Sequence, residues 1–217
     1  MIHARLARDP SVLLLGPVRG VAEEATRLAA ALEAFGPAAI GIGLSEEERQ
    51  GLLDYFVLSE AEPVVPLTNA EVSEVRGLVR FGEVRVPNPS FVETLRWGGE
   101  RGVPVEALDP TDDAAASLFT EHIGYFELVR RTVRERQLSR SPPSPSTADE
   151  FALAWDREVS GGRGSRDFAR ARDAYLVRAV SGLRATRSPV AVVVDRERFE
   201  SVRALLEAGP TRTAEGF

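Results

Sequence analysis

The stretch "LLLGPVRGVAEEA", Leu13–Ala25, decides how this chain reads. An apolar run closes at Gly16, and a helical pattern opens a few residues later. Residues 11–16, "SVLLLG", are short, apolar and ended by glycine, which predicts a buried strand. Apolar residues at Val21, Ala25, Leu28, Ala29 and Leu32 recur at spacings of three and four, the mark of an amphipathic helix. Gly36 and Pro37 stop that helix. The next apolar run, "AAIGIGL" at 38–44, predicts a second strand, parallel to the first because a helix separates them. Arg19 therefore falls where strand gives way to helix, the position at which α/β folds present their ligand-binding groups.

Working outward, Ser45 and Glu48 form a capping box that opens a helix over "SEEERQGLLDYF". Residues 59–88 carry no single pattern, and "VRFGEVRVPNP" suits either an edge strand or an irregular segment. "NPSFVETLRWGGERG" predicts a helix from about Ser90, again with a Ser-x-x-Glu start, ending between Gly98 and Gly102. "VPVEALD", 103–109, predicts a third strand. Ala115, Leu118, Phe119, His122 and Ile123 share a helical face, and that helix is expected to run to about Leu138. "SRSPPSPST" at 139–147 is a loop, since proline removes donors and restricts the residue before it. Thr147 and Glu150 offer another capping box before "FALAWDREV", and "SGGRGS" at 160–165 breaks the chain before a long helix from about Arg166 to Leu183. "SPVAVVVD", 188–195, is the fourth clear strand. A closing helix carries Phe199, Val202, Leu205 and Leu206 on one face, followed by a loose tail, "PTRTAEGF". The expectation is one α/β domain over 1–217, with a mainly parallel central sheet flanked by helices and a helical insertion at about 115–165.

The bulk composition excludes several chemistries. Without cysteine there is no disulfide, thiolate metal site or cysteine nucleophile. All 27 basic residues are arginine, so no Schiff-base lysine or P-loop lysine exists. The net charge of −6 disfavours nucleic acid, whose phosphates need clustered positive charge. No apolar run approaches the ~20 residues of a membrane span, and no signal peptide is evident. A cytoplasmic location is the expectation. No serine has a G-x-S-x-G setting, and the two histidines, His3 and His122, are badly placed for a triad.

The order of segments from about Val12 to Leu206 resembles the TraB/PrgY family, which is related to the Tiki proteases. In that family the first strand ends in Gly-x-x-His, "GTAH"; here it ends in "GPVR", Gly16–Arg19. The second strand leads to a glutamate-bearing segment; here it is "GLS", Gly43–Ser45, followed by "EEER". The strand and polar turn "ALDPTD", Ala107–Asp112, resembles the family's, and "ARDAYL", Ala171–Leu176, stands for its "ERDxYM" motif, retaining Arg172, Asp173 and Tyr175. The second Gly-x-x-His is replaced by "DRER", Asp195–Arg198. The resemblance implies a cleft whose two histidines and glutamate hold a divalent metal. Here those positions are Arg19, Arg198 and Gly43. A guanidinium has no lone pair to give and stays charged, so the implied metal site is lost and no cofactor is expected.

Three functions then compete. The first is a non-catalytic, pseudoenzyme-like domain whose former cleft, lined by Arg19, Gly43, Arg172, Asp173, Asp195 and Arg198, binds a small anion or a peptide carboxylate. Against it stands the plainer reading that Arg19 and Arg198 pair with Asp173, Asp195 or Glu197 and hold the cleft closed. The second is a hydrolase or peptidase rebuilt from Asp109, Asp112, Asp113 and Asp173, with or without a metal. The third is a scaffold that forms a homodimer through the helical insertion. Smaller features have ordinary explanations. "SEEER" is a solvated first helical turn. Asp109 and Thr111 in "LDPTDD" serve a turn and an N-cap. "SGGRGS" lacks the spacing of a phosphate loop. Trp97 and Trp155 are core anchors.

Overall fold

The computed structural model describes residues 1–58 and 68–209. Five strands form one sheet: β1 (Ile2–Arg5), β2 (Val12–Gly16), β3 (Ala39–Ile42), β4 (Val105–Ala107) and β5 (Val190–Val193), in the order β1-β2-β5-β3-β4. β2, β5, β3 and β4 run parallel, with Val12 opposite Val190, Ala39 opposite Val190 and Ile40 opposite Val105. The three central strands are buried along their whole length. Both faces of the sheet are covered, which is why these strands read as unbroken apolar runs rather than alternating ones. The helices α1 (Ala22–Phe35) and α4 (Pro89–Arg101) cover one face, where Leu28, Leu32 and Trp97 meet Leu13, Leu15, Ile40 and Ile42. The other face receives Leu176, Val180 and Leu183 of α8 (Arg163–Thr186) and Phe199 and Val202 of α9 (Phe199–Ala208). The chain is thus α/β, with a mostly parallel sheet flanked by helices, and no helix among the described residues is long and apolar enough to cross a membrane.

A third apolar cluster lies beyond the C-terminal end of β2. Val18 and Val21 pack there with Leu78 of α3 (Asn69–Leu78), Leu138 of α6 (Tyr125–Arg140), and Phe151 and Trp155 of α7 (Ala148–Val159). The Phe151 ring lies against the bare Cα of Gly77, where a Cβ would overlap it, so α3 and α7 approach closely. This helical cap roofs the strand ends. α2 (Glu46–Leu58) follows β3, and α5 (Asp112–His122) follows β4.

Several expectations need correction. The edge strand β1 pairs antiparallel with β2, outside the strands expected; its four residues, alternately half-buried and exposed, are too few for a period to stand out in the sequence. The helix expected from 115 to 138 is two helices, because Ile123 and Gly124 are extended and Gly124 opens α6. Helix α3 arises within the segment that carried no clear pattern, started by a full capping box between Thr68 and Glu71. Helix α4 is capped by Asn88, whose side-chain oxygen accepts from the Ser90 N–H, with Pro89 in the first turn; Ser90 is not its cap. "VRFGEVRVPNP" is a 3-10 turn at Val79–Phe81 and then irregular, bridging to the α1 entry at Val84–Val21. The Ser45–Glu48 capping box forms as expected, in both directions. The tail at 210–217, and residues 59–67, lie outside the described residues.

Candidate functional site

Four parallel strands end under the helical cap, and the segments after them carry the site residues. The loop after β2 carries Arg19, the 3-10 turn after β5 carries Asp195 to Arg198, Gly43 follows β3 and Asp109 follows β4. Helix α8 adds the adjacent pair Arg172 and Asp173 from the side. These residues sort into two neighbouring clusters joined through the turn in which the Arg198 N–H donates to the Asp195 carbonyl at 3.0 Å.

The first cluster is built on Arg198. Its Nη1 and Nη2 donate to the two carboxylate oxygens of Asp109 at 2.7 and 2.8 Å, the bidentate fork geometry that arginine favours. Its Nε donates to Asp173 at 2.8 Å. Arg172 donates a further bond to Asp109. The side chains of Asp109 and Asp173 are 1% and 4% exposed and that of Arg198 is 12%, so the centre of the network is sealed from water, and Arg172 covers its outer side at 32% exposed. Burial alone pushes the Asp109 carboxyl up, but the hydrogen bonds and charges of Arg198 and Arg172 outweigh it and hold it below the ordinary aspartate range. Burial likewise opposes the charge on Arg198, and Asp109 and Asp173 together raise its proton affinity well above normal. Gly43 makes room for this: a Cβ there would lie 3.3 Å from both Arg198 Nη1 and Val194.

The second cluster surrounds Arg19. Its Nη2 donates to Asp195 Oδ2 at 2.6 Å and lies 3.8 Å from Glu197. Asn88 at the start of α4 donates to the other Asp195 oxygen at 3.3 Å. Arg19 keeps 46% of its side chain exposed, and among the described residues only Nη2 is engaged. Asp195, with Glu197 behind it, raises the Arg19 proton affinity. Burial and the charge of Asp195 push the Glu197 carboxyl up to about 8, against the pull of Arg19. Glu74 on α3 is also raised, chiefly by burial, while Arg19 pulls it down. Arg196 turns the other way. It is buried and grips Asp149 in the first turn of α7, tying the sheet to the cap.

The six anticipated residues are therefore brought under one roof, but not onto one ligand. Arg198, Arg172, Asp173 and Gly43 share the sealed cluster; Arg19 and Asp195 form the half-open one. Asp109 was anticipated as a turn residue and instead neutralises two arginines, while Thr111 does cap α5. Asp112 accepts from the Ser45 hydroxyl at 3.0 Å, and Asp113 makes no side-chain bond among the described residues, so the four aspartates of the rebuilt carboxylate site are not gathered. His3 lies on the edge strand and His122 closes α5. Glu74, Asn88, Arg196 and Asp149 were not anticipated. Only Asn88 and Asp149 carry a sequence signal, as helix starters, and that signal says nothing of their partners.

The implied divalent metal does not fit these residues. Its three ligand positions hold two guanidiniums and a glycine, and positive charge replaces lone pairs. Among the described residues no three histidine, cysteine, aspartate or glutamate side chains group as a metal site. The glycine-rich break before α8 is likewise filled. The Glu127 carboxylate accepts from the N–H groups of Gly164 and Ser165 at 2.9 and 2.6 Å and from the Ser165 hydroxyl at 2.7 Å. No protein-family model matches the chain, and no curated protein matches its sequence.

Proposed function

We propose that this protein is a non-catalytic, TraB-like α/β domain that binds a small carboxylate, free or at a peptide end, at Arg19. The observation that carries this reading is the unequal state of the two arginines that end the loops after β2 and β5. Arg198 is 12% exposed and donates from all three of its nitrogens to Asp109 and Asp173, whereas Arg19 is 46% exposed and donates from Nη2 alone among the described residues. At neutral pH Glu197 retains its proton, so an incoming carboxylate meets the Arg19 guanidinium and a neutral carboxyl able to donate. Binding of this kind weakens as pH rises past about 8, where Glu197 ionises.

The experiment is thermal stabilisation of the full chain by succinate and by a dipeptide, at pH 6.5 and pH 9, beside Arg19→Ala. A ligand bound only to the folded state raises the melting temperature by mass action. Stabilisation at pH 6.5 that is reduced at pH 9 and lost in Arg19→Ala supports the reading. Equal stabilisation of wild type and Arg19→Ala overturns it. Glu197 also favours a second reading, a carboxyl-based hydrolase with Glu197 as the proton-bearing acid beside the Asp195 carboxyl group. Peptide or ester hydrolysis abolished by Glu197→Gln supports that alternative.

A further inference from the structure

A second concavity lies away from the strand ends, in the helical cap. A groove of about 830 Å³ runs between α6, α7 and the start of α8. Its walls carry five arginines, Arg130, Arg131, Arg134, Arg157 and Arg166, against three acids, Glu127, Asp156 and Glu158. The groove is thus formally +2 in a chain of −6, which leaves −8 for the rest of the sequence. An anion repelled by most of this surface is attracted here.

The internal pairing sharpens the point. Glu158 is spent on Arg134, and Glu127 is spent on the first N–H groups of α8. Arg131 pairs with Glu135 at 3.0 Å. Arg130, Arg157 and Arg166 form no ion pair within 4.0 Å among the described residues; Arg166 donates only to the Gly161 carbonyl, and Arg130 feels Glu127 only at longer range. Three guanidiniums from three helices therefore face one groove with Asp156 as the remaining acid. Glu127 shows what the groove accommodates: an anionic group seated on backbone and hydroxyl donors at one end.

We infer that this groove binds a small soluble ligand carrying two or more phosphate groups. A phosphate offers three acceptor oxygens, and arginine forks match it bidentately. Spread over three helices, Arg130, Arg157 and Arg166 suit two separated phosphates better than one carboxylate. The volume falls within the range of small-molecule sites. This site is independent of the carboxylate reading at Arg19.

Calorimetric titration of the full chain with inorganic pyrophosphate tests it, at low and at 0.5 M salt. The variants are the pair Arg157→Ala/Arg166→Ala and, separately, the pair Arg130→Ala/Arg157→Ala. Their unchanged melting temperatures show that the fold is intact. Arg163→Ala, beside the groove and highly exposed, and Arg19→Ala are the controls. The expected result is saturable binding by wild type and both controls, weakened at least tenfold in each double variant and by salt. Three results overturn the inference: no saturable binding to wild type, equal binding by the double variants, or loss in Arg19→Ala. Binding to phosphatidylglycerol vesicles without binding to pyrophosphate would also overturn it, and point to a membrane surface instead.

Discussion

Replacing Arg198 by methionine removes the centre of the sealed cluster while keeping most of its volume. The change deletes three charge-assisted hydrogen bonds, two to Asp109 and one to Asp173. Asp109 retains Arg172. Asp173, 4% exposed, retains no hydrogen-bond partner among those described. Breaking a buried pair from one side costs about 3–5 kcal/mol, because a charge is left uncompensated in a poorly solvated place. For a chain of this size each kcal/mol moves the melting temperature by about 2–4 °C, so the expected fall is roughly 6–20 °C. Removing the orphaned charge as well should restore part of the loss. The double variant Arg198→Met/Asp173→Asn is expected to recover at least about 1 kcal/mol, since a neutral pair avoids the buried unpaired charge. Urea unfolding of wild type, both single variants and the double variant closes the cycle. A loss below about 1 kcal/mol for Arg198→Met, or no recovery in the double variant, would refute the view that the chain's own carboxylates occupy this arginine.

Three further outcomes follow from the same geometry. Asp109 holds its proton less tightly when folded than when unfolded, so its contribution is present above the unfolded pKa and lost as pH falls through the folded one; Asp109→Asn should flatten the acid limb of a stability–pH curve. Glu197 is the opposite case, raised to about 8, so wild-type stability should fall as pH rises from about 4.5 to 8 and Glu197→Gln should lose that slope, as melting temperatures across pH 4–9 would show. Glu127→Ala strips the carboxylate from the start of α8 and should cost about 1–2 kcal/mol in urea unfolding, the loss expected when a helix start is uncapped.

How much of this molecule is legible in its sequence depends on whether a feature is local. Strands β2, β3 and β5 are continuous apolar runs between glycine, proline and helix-starting residues, and their type follows from that pattern alone. The Ser45–Glu48 box is legible for the same reason, since both partners lie within one turn. Strand β1 is not, because an alternation only four residues long does not stand out until β2 pairs with it. The break at Gly124 is hidden because the apolar spacing of α5 continues in phase into α6.

The candidate site divides along the same line. That strand ends would carry it was readable from an α/β pattern in which parallel strands must end on one side, while the expectation that Arg172 and Asp173 would join Arg19, Asp195 and Arg198 there rested on the resemblance of the segments to the TraB/PrgY family. Residue chemistry alone also determined that no cysteine or lysine could act, and that guanidiniums could not hold a metal. What only the tertiary structure decided is who pairs with whom. Asp109 lies 89 residues from Arg198, and Asp195 lies 176 from Arg19. No periodicity spans such separations, because ion pairing depends on the distance and burial that folding creates, and both are absent from the linear chain.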